Sequence, residues 1–231
     1  MAQRRQEIEE FVRRIVVEVE AAEAAGITTP QALAEYFNER GVSFDAAYSG
    51  TLERQRTTRD VLIKNLKSPP PSVQESGSLN EVPFQELMKG YCSDHAETEL
   101  VTRLMQATNN ERAGSYFRVL REALHSWHSG TLAGDFSSWE SFEESVVSWS
   151  ESIRAQADGG NILAVSSGGT IGTLVAHLLK APRETMIELN FQVRNTAYCE
   201  LAFNAKRMRL ISFNAIDHIS PSQRAHLLTS L

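Results

Sequence analysis

The stretch NILAVSSGGTIGTLVAHLL, residues 161–179, restricts the fold more than any other part of the sequence. Apolar residues lead into two serines and the pair Gly168-Gly169, and a helical pattern of apolar residues follows. A strand that turns over glycines into a helix presents unpaired backbone N–H groups, which suit an anion such as phosphate. An ordinary strand-to-helix turn capped by serine or threonine fits the same residues, so this stretch alone leaves both interpretations open.

Strands and helices alternate along the rest of the chain. A short strand is predicted at residues 42–50, a loop rich in Pro, Ser and Gly at 67–83, helices at 29–41, 51–66, 84–108, 111–128 and 139–156, and a closing hairpin from 195–204 and 207–214. This alternation predicts a three-layer α/β/α fold with a mostly parallel sheet. Ligands of such sheets bind beyond the carboxyl ends of the strands.

A second polar turn, YSGTLERQRTT, follows the strand at residues 42–50. It places Arg54 and Arg56 in the first turns of a helix, where a guanidinium can form two hydrogen bonds to a phosphate. Surface arginines paired with acidic residues are the alternative interpretation. Glu81, in the loop GSLNEVPF, is a weaker candidate for a proton donor, because a single loop glutamate is usually solvated.

Taken in order, these segments resemble the histidine phosphatase superfamily, the phosphoglycerate-mutase-like proteins, over about residues 27–219. ALAEYFNERGVSFDAAYSGTLERQRTT resembles the family's first helix, second strand and Ser-x-x-Leu-x-Arg segment, and LNEVPF resembles the segment that holds its acidic proton donor. The Gly168-Gly169 turn resembles its Val-Ser-His-Gly-Gly turn. NFQVRNTAYCELAFNAKRMRLISFNAIDHI resembles its closing hairpin, with Asn195-Thr196 and His218.

The resemblance implies an ancestral phosphomonoester hydrolysis in which the phosphoryl group passes through a histidine. Glu81 and Ser167 would take catalytic positions. The residues implied in phosphate binding are Arg54, Gly168, Gly169, Arg194 and Asn195. The expected ligand is phosphate or a small phosphorylated molecule, and the resemblance brings neither a metal nor a cofactor.

Two departures from the family pattern concern the mechanism. The Arg-His-Gly motif that ends the family's first strand is absent, and no histidine precedes His95. The family's second active-site histidine aligns with Ser167, whose hydroxyl can hydrogen-bond a phosphoryl oxygen but carries no positive charge. Because nucleophilic catalysis needs an attacking atom, we expect impaired hydrolysis. The alternative is a non-catalytic module, a pseudophosphatase that binds a phospho-ligand or partner through the same pocket.

The N-terminus poses a separate question. Residues 1–26 are predicted as a helical extension that precedes a histidine-phosphatase-like domain at 27–231, since apolar residues follow helical spacing until Gly26. RIVVEVE, within residues 13–20, is β-branched and could instead replace the missing first strand. Loss of that strand would expose a sheet edge, so we expect marginal stability or oligomerisation.

Charge and hydropathy limit the classes of partner. The formal net charge of −6 disfavours a general nucleic-acid binder. AAEAAGITTPQALAEYFNERGV nevertheless resembles the end of serine-recombinase domains, which keeps a DNA-binding fragment as a third interpretation. No apolar run approaches the ~18 residues of a membrane span, and the start MAQRRQEIEE is charged. We therefore expect a cytoplasmic protein with reduced Cys92 and Cys199.

Overall fold

The computed structural model describes residues 29–156, 160–204, 206–222 and 224. The described chain divides into two compact units. One contains Val82–Phe142, and the other contains the described residues of Ala22–Glu81 and Glu143–Leu231 together with every described strand. The predicted extension at 1–26, and with it the choice between helix and strand at 13–20, lies outside the described residues.

Eight helices and five strands are described. In chain order they are α1 (Thr29–Glu39), β1 (Ala46–Ser49), α2 (Glu53–Asn65), β2 (Val73–Glu75), α3 (Phe84–Asp94), α4 (Glu99–Gln106), α5 (Asn109–His128), α6 (Trp139–Gln156), β3 (Ile162–Val165), α7 (Gly168–Leu179), α8 (Glu184–Gln192), β4 (Tyr198–Asn204) and β5 (Arg207–Ala215). No helix in the described ranges combines the length and apolar character that crossing a membrane requires.

Three short strands form a parallel sheet in the order β2–β1–β3. Ser49, the last residue of β1, is in register with Glu75 of β2 and Val165 of β3, so all three strands end at the same edge. The predicted hairpin is a separate antiparallel pair of β4 and β5. Among the described residues β3 has no partner on its second side, and the predicted substitute strand lies outside them.

Helices cover both faces of the parallel sheet. Neighbouring residues of a strand point to opposite faces, and Ala47 and Tyr48 show both environments. Ala47 is fully buried in an apolar cluster with Leu33 of α1 and Leu62 of α2. On the other face the ring of Tyr48 meets Trp149 of α6 edge-on, with 5.8 Å between the ring centroids. The predicted α/β fold, with helices on the two faces of a parallel sheet, is confirmed.

Two local predictions were wrong, and one helix was not predicted. The predicted loop at 67–83 contains strand β2, which gives no sequence signal because its three residues are all exposed at the sheet edge. The helix predicted at 84–108 is two helices, since residues 95–98 interrupt it. Helix α8 was not predicted, although Met186 and Asn190 have the i, i+4 spacing of a buried helix face.

Helices α7 and α8 pack closely at Gly172. A Cβ atom added at Gly172 would lie 3.1 Å from the carbonyl oxygen of Met186 and 3.2 Å from the backbone nitrogen of Asn190. Both neighbours are backbone atoms, so a side chain could be accommodated only by moving one helix. We expect Gly172→Ala to lower the free energy of unfolding by about 1–3 kcal/mol, measured by urea denaturation.

Gly77→Ala in the same unit is the control for this prediction. No atom lies within 4 Å of a Cβ atom added at Gly77, and Gly77 is exposed. We expect a change within about 0.5 kcal/mol there. Equal unfolding curves for the two variants would show that α7 and α8 are not in close contact.

Candidate functional site

The candidate site lies at the carboxyl ends of β1 and β3. The chain leaves β1 through residues 50–52 into α2, and it leaves β3 through residues 166–167 into α7. The N–H of Gly50 donates to the carbonyl oxygen of Val165 at 3.2 Å, which holds the two turns side by side. Both polar turns singled out in the sequence therefore lie at the carboxyl edge of the sheet, where such folds bind ligands.

The carboxylate of Glu81 lies between these two turns. Its Oε1 accepts a hydrogen bond from the N–H of Gly169 at 3.0 Å, and its Oε2 lies 3.9 Å from Nη2 of Arg54. The Gly169 N–H is one of the first in α7 and has no partner within the helix, whose N-terminus favours negative charge. We call the point between Gly169 and Arg54 the anion position, and Glu81 occupies it.

The Glu81 side chain is less exposed than its loop position suggests. The sequence makes it only a weak candidate for a proton donor, because a single loop glutamate is usually solvated. The Glu81 side chain is only 7% exposed, against 33% for Arg54. A backbone N–H and a guanidinium both face this carboxylate, and both stabilise negative charge on it.

Gln55 connects the two turns and was not predicted from the sequence. Its side chain is buried, with 2% of the residue exposed. Nε2 donates to the hydroxyl oxygen of Ser167 and to the carbonyl oxygen of Leu79, both at 2.8 Å, and Oε1 accepts from the N–H of Leu52 at 3.4 Å. Ser167, the N-cap residue of α7, is thus held from α2.

The loop that carries Glu81 is tied to both turns. Oδ1 of Asn80 accepts from the N–H of Thr51 at 2.6 Å, and the Asn80 carbonyl accepts from the hydroxyl of Thr170. The hydroxyl of Ser166 donates to the carbonyl of Leu79 at 2.8 Å. These polar groups satisfy one another at the sheet edge, and they fix the loop so that the next carboxylate reaches α7.

Gly168 lies against a buried amide of α8. A Cβ atom added at Gly168 would be 2.8 Å from Oδ1 of Asn190, which explains why a glycine occupies this turn. Asn190 is completely buried, and among the described residues neither polar atom of its side chain has a hydrogen-bond partner. A buried polar group left without any partner costs about 1–3 kcal/mol.

Other arginines of the prediction have different surroundings. Arg56 donates two hydrogen bonds to Oε2 of Glu75, at 3.0 and 2.8 Å, as in the surface-pair alternative. Arg194 is exposed, and its side chain forms no hydrogen bond or ion pair in the part of the chain that is described. In the chain Arg194 lies between Val193 and the half-buried Asn195. The Cβ atom of Val193 would lie 3.5 Å from a Cβ atom added at Gly168.

The cysteines do not offer a replacement nucleophile. Burial raises the pKa of the Cys92 thiol to about 12 and also raises that of Cys199, so both are neutral thiols at pH 7.

Burial lowers the pKa of His218, whose Nε2 lies 3.3 Å from the hydroxyl of Thr196. No group of three or more His, Cys, Asp or Glu side chains that could hold a metal ion occurs among the described residues.

Comparison with solved structures shows a common fold. The chain is similar to α-ribazole phosphatase from Shigella flexneri, with a TM-score of 0.58, 21% identity and 83% of each chain covered. It is similar to phosphoserine phosphatase from Entamoeba histolytica in complex with 3-phosphoglyceric acid, with a TM-score of 0.53, 20% identity and 83% of each chain covered. Phosphoglycerate mutase from Bacillus anthracis gives a TM-score of 0.55 at 17% identity, over 83% of this chain and 81% of that one.

Sequence comparison names the family. No curated protein sequence matches the chain. The sequence model of the histidine phosphatase superfamily (branch 1) matches residues 101–216, half of the 231 residues. The resemblance stated from the motifs is therefore confirmed, and the chain belongs to the histidine phosphatase superfamily.

Proposed function

We propose that the chain binds phosphate or a small phosphomonoester at the anion position, and that its hydrolysis of phosphomonoesters is impaired. One observation carries the proposal: the Gly169 N–H and the Arg54 guanidinium converge on a single carboxylate from a distant segment. Donors that hold one anion in this way can also hold a phosphoryl oxygen. A helix N-terminus and an arginine are a common combination of phosphate-binding groups.

The surroundings of Ser167 support impaired hydrolysis. A serine becomes a nucleophile when a neighbouring base removes its proton. The side-chain atom next to the Ser167 hydroxyl is Nε2 of Gln55, an amide donor that cannot accept a proton from it. The contact thus offers no activation, and the sequence contains no Arg-His-Gly motif to supply a phosphorylated histidine.

The test separates binding from turnover on the same purified chain. With inorganic phosphate, we expect the thermal midpoint to rise with concentration, because a ligand of the native state stabilises it. Sodium chloride at matched ionic strength is the control. With p-nitrophenyl phosphate, we expect turnover at least about 1000-fold below the roughly 10 s⁻¹ of a typical enzyme.

The two measurements contradict different parts of the proposal. Turnover near that of a typical enzyme would show that a nucleophile exists and that hydrolysis is intact. An equal shift of the thermal midpoint in phosphate and in chloride would show that the anion position does not select phosphate. In that case the non-catalytic partner-binding interpretation would have to rest on another surface.

A further inference from the structure

We propose that Gln55 is a positioning residue that fixes the Ser167 hydroxyl as a hydrogen-bond donor toward the anion position. This inference rests on the proposed phosphate binding, and it names how one residue outside the predicted set would control it. It concerns the direction in which a single proton points. That direction decides whether Ser167 attracts or repels a ligand oxygen.

The hydrogen bonds of Gln55 determine which end of its amide faces Ser167. Nε2 also lies 2.8 Å from the carbonyl oxygen of Leu79, which can only accept. On the other side Oε1 faces the N–H of Leu52 at 3.4 Å, which can only donate. Rotating the amide by 180° would place Oε1 against the Leu79 carbonyl oxygen, which is also an acceptor, and Nε2 against the Leu52 N–H, which is also a donor. The NH₂ group must therefore face Ser167.

The hydroxyl proton of Ser167 therefore remains available for donation to a ligand. A serine hydroxyl has one O–H donor and two lone pairs, and Nε2 of Gln55 uses a lone pair. Within the described residues the hydroxyl makes no other hydrogen bond, and as the N-cap of α7 it does not accept from the helix. The half-buried O–H is thus an unused donor beside the N–H groups that begin the helix.

Burial makes this arrangement rigid. Gln55 is 2% exposed, and a Cβ added at Gly50 would lie 1.8 Å from Oε1. The glycine at position 50 therefore leaves room for the Gln55 amide. A ligand that competes with Glu81 for the anion position would meet three donors there, namely a guanidinium, a backbone N–H and the hydroxyl of Ser167. Such a set favours an unprotonated phosphate oxygen over a ligand hydroxyl.

A double-mutant cycle on the full chain tests the inference, with inorganic phosphate as the probe and affinity measured by titration calorimetry. We expect Ser167→Ala to weaken phosphate binding about 3- to 10-fold, the effect of one neutral hydrogen bond. Gln55→Leu should weaken it to a similar extent. Gln55→Leu added to Ser167→Ala should cause no further loss, because the group that Gln55 orients is already gone.

Two further variants show whether Gln55 acts through the hydroxyl. Gln55→Glu would place an acceptor and a negative charge beside Ser167, and we expect at least a tenfold loss of phosphate affinity. Gln74→Leu is the matched control and should leave phosphate affinity unchanged, because Gln74 is exposed on β2 and its side chain hydrogen-bonds only Ser72 among the described residues. Urea denaturation measures the stability of each variant separately. If Gln55 had only a structural role, its substitution would change stability and leave phosphate affinity unchanged.

Each outcome decides the matter. Additive losses from Gln55→Leu and Ser167→Ala would overturn the inference while leaving phosphate binding in place. An unchanged affinity in Ser167→Ala would overturn it even if no Gln55 variant folds. Failure of the unmodified chain to bind phosphate would overturn the proposed function as well. This outcome is distinguishable because it is measured on the unmodified chain, without any variant.

Discussion

Arg54→Ala is expected to weaken phosphate binding by about 10- to 150-fold, the effect of losing hydrogen bonds between charged groups. The substitution removes the guanidinium that faces the anion position and leaves the Glu81 carboxylate without this counter-charge. Arg54→Lys should recover part of the affinity, because an ammonium keeps the charge but cannot form two parallel hydrogen bonds. Titration calorimetry with inorganic phosphate measures both variants.

Arg56→Ala is the control for this prediction. It removes the same kind of side chain from the same helix, but its guanidinium is already bonded to Glu75. Phosphate affinity should stay within about twofold of the unmodified chain, since exposed charges farther away are screened by salt. Similar losses for the two variants would mean that general positive charge, and not Arg54, attracts the ligand.

Glu81→Gln is expected to strengthen phosphate binding about tenfold or more. Phosphate and the Glu81 carboxylate would compete for the Gly169 N–H and the Arg54 guanidinium, and two negative charges about 4 Å apart repel by roughly 4 kcal/mol near a protein surface. The amide oxygen of glutamine can still accept from Gly169, so the turn should keep its shape. Binding should also depend less on salt concentration in the variant.

Glu53→Gln gives the same change of charge at an exposed position in the first turn of α2, and it should alter affinity less than twofold. The direction of the Glu81 effect separates two mechanisms. A competitor for the anion position gives tighter binding when it is neutralised. A proton donor gives unchanged binding and slower release of p-nitrophenol, and that result would support the role that the family resemblance implies for Glu81.

Local patterns explain which parts of the site could be predicted. An apolar strand followed by Gly168-Gly169 is continuous in the sequence, and Arg54 follows its strand by a few residues, so both turns were identified without a structure. The adjacency of β1 and β3 then brought them to one edge. The helix or strand at 13–20 stays a prediction, as does the assignment of Arg194 and Asn195 to phosphate.

Distance along the chain explains which parts could not be predicted. Gln55 lies in a polar helix and looks like a surface residue, and its partners Leu79 and Ser167 are 24 and 112 residues away. The partner of Glu81, Gly169, is 88 residues distant. No window of sequence contains both members of these pairs. Their burial and bonding are results of tertiary packing, which local propensity does not encode.

The long sequence separations in the site have a consequence for folding. A glycine-rich phosphate loop that lies in one continuous segment can retain some affinity in a partly folded chain. Here the donors and the loop that ties them come from three segments, and we expect them to meet only after β1 and β3 have paired. Affinity for phosphate should therefore appear in the last phase of refolding, together with the slow non-local contacts, and the anion should slow unfolding without accelerating collapse.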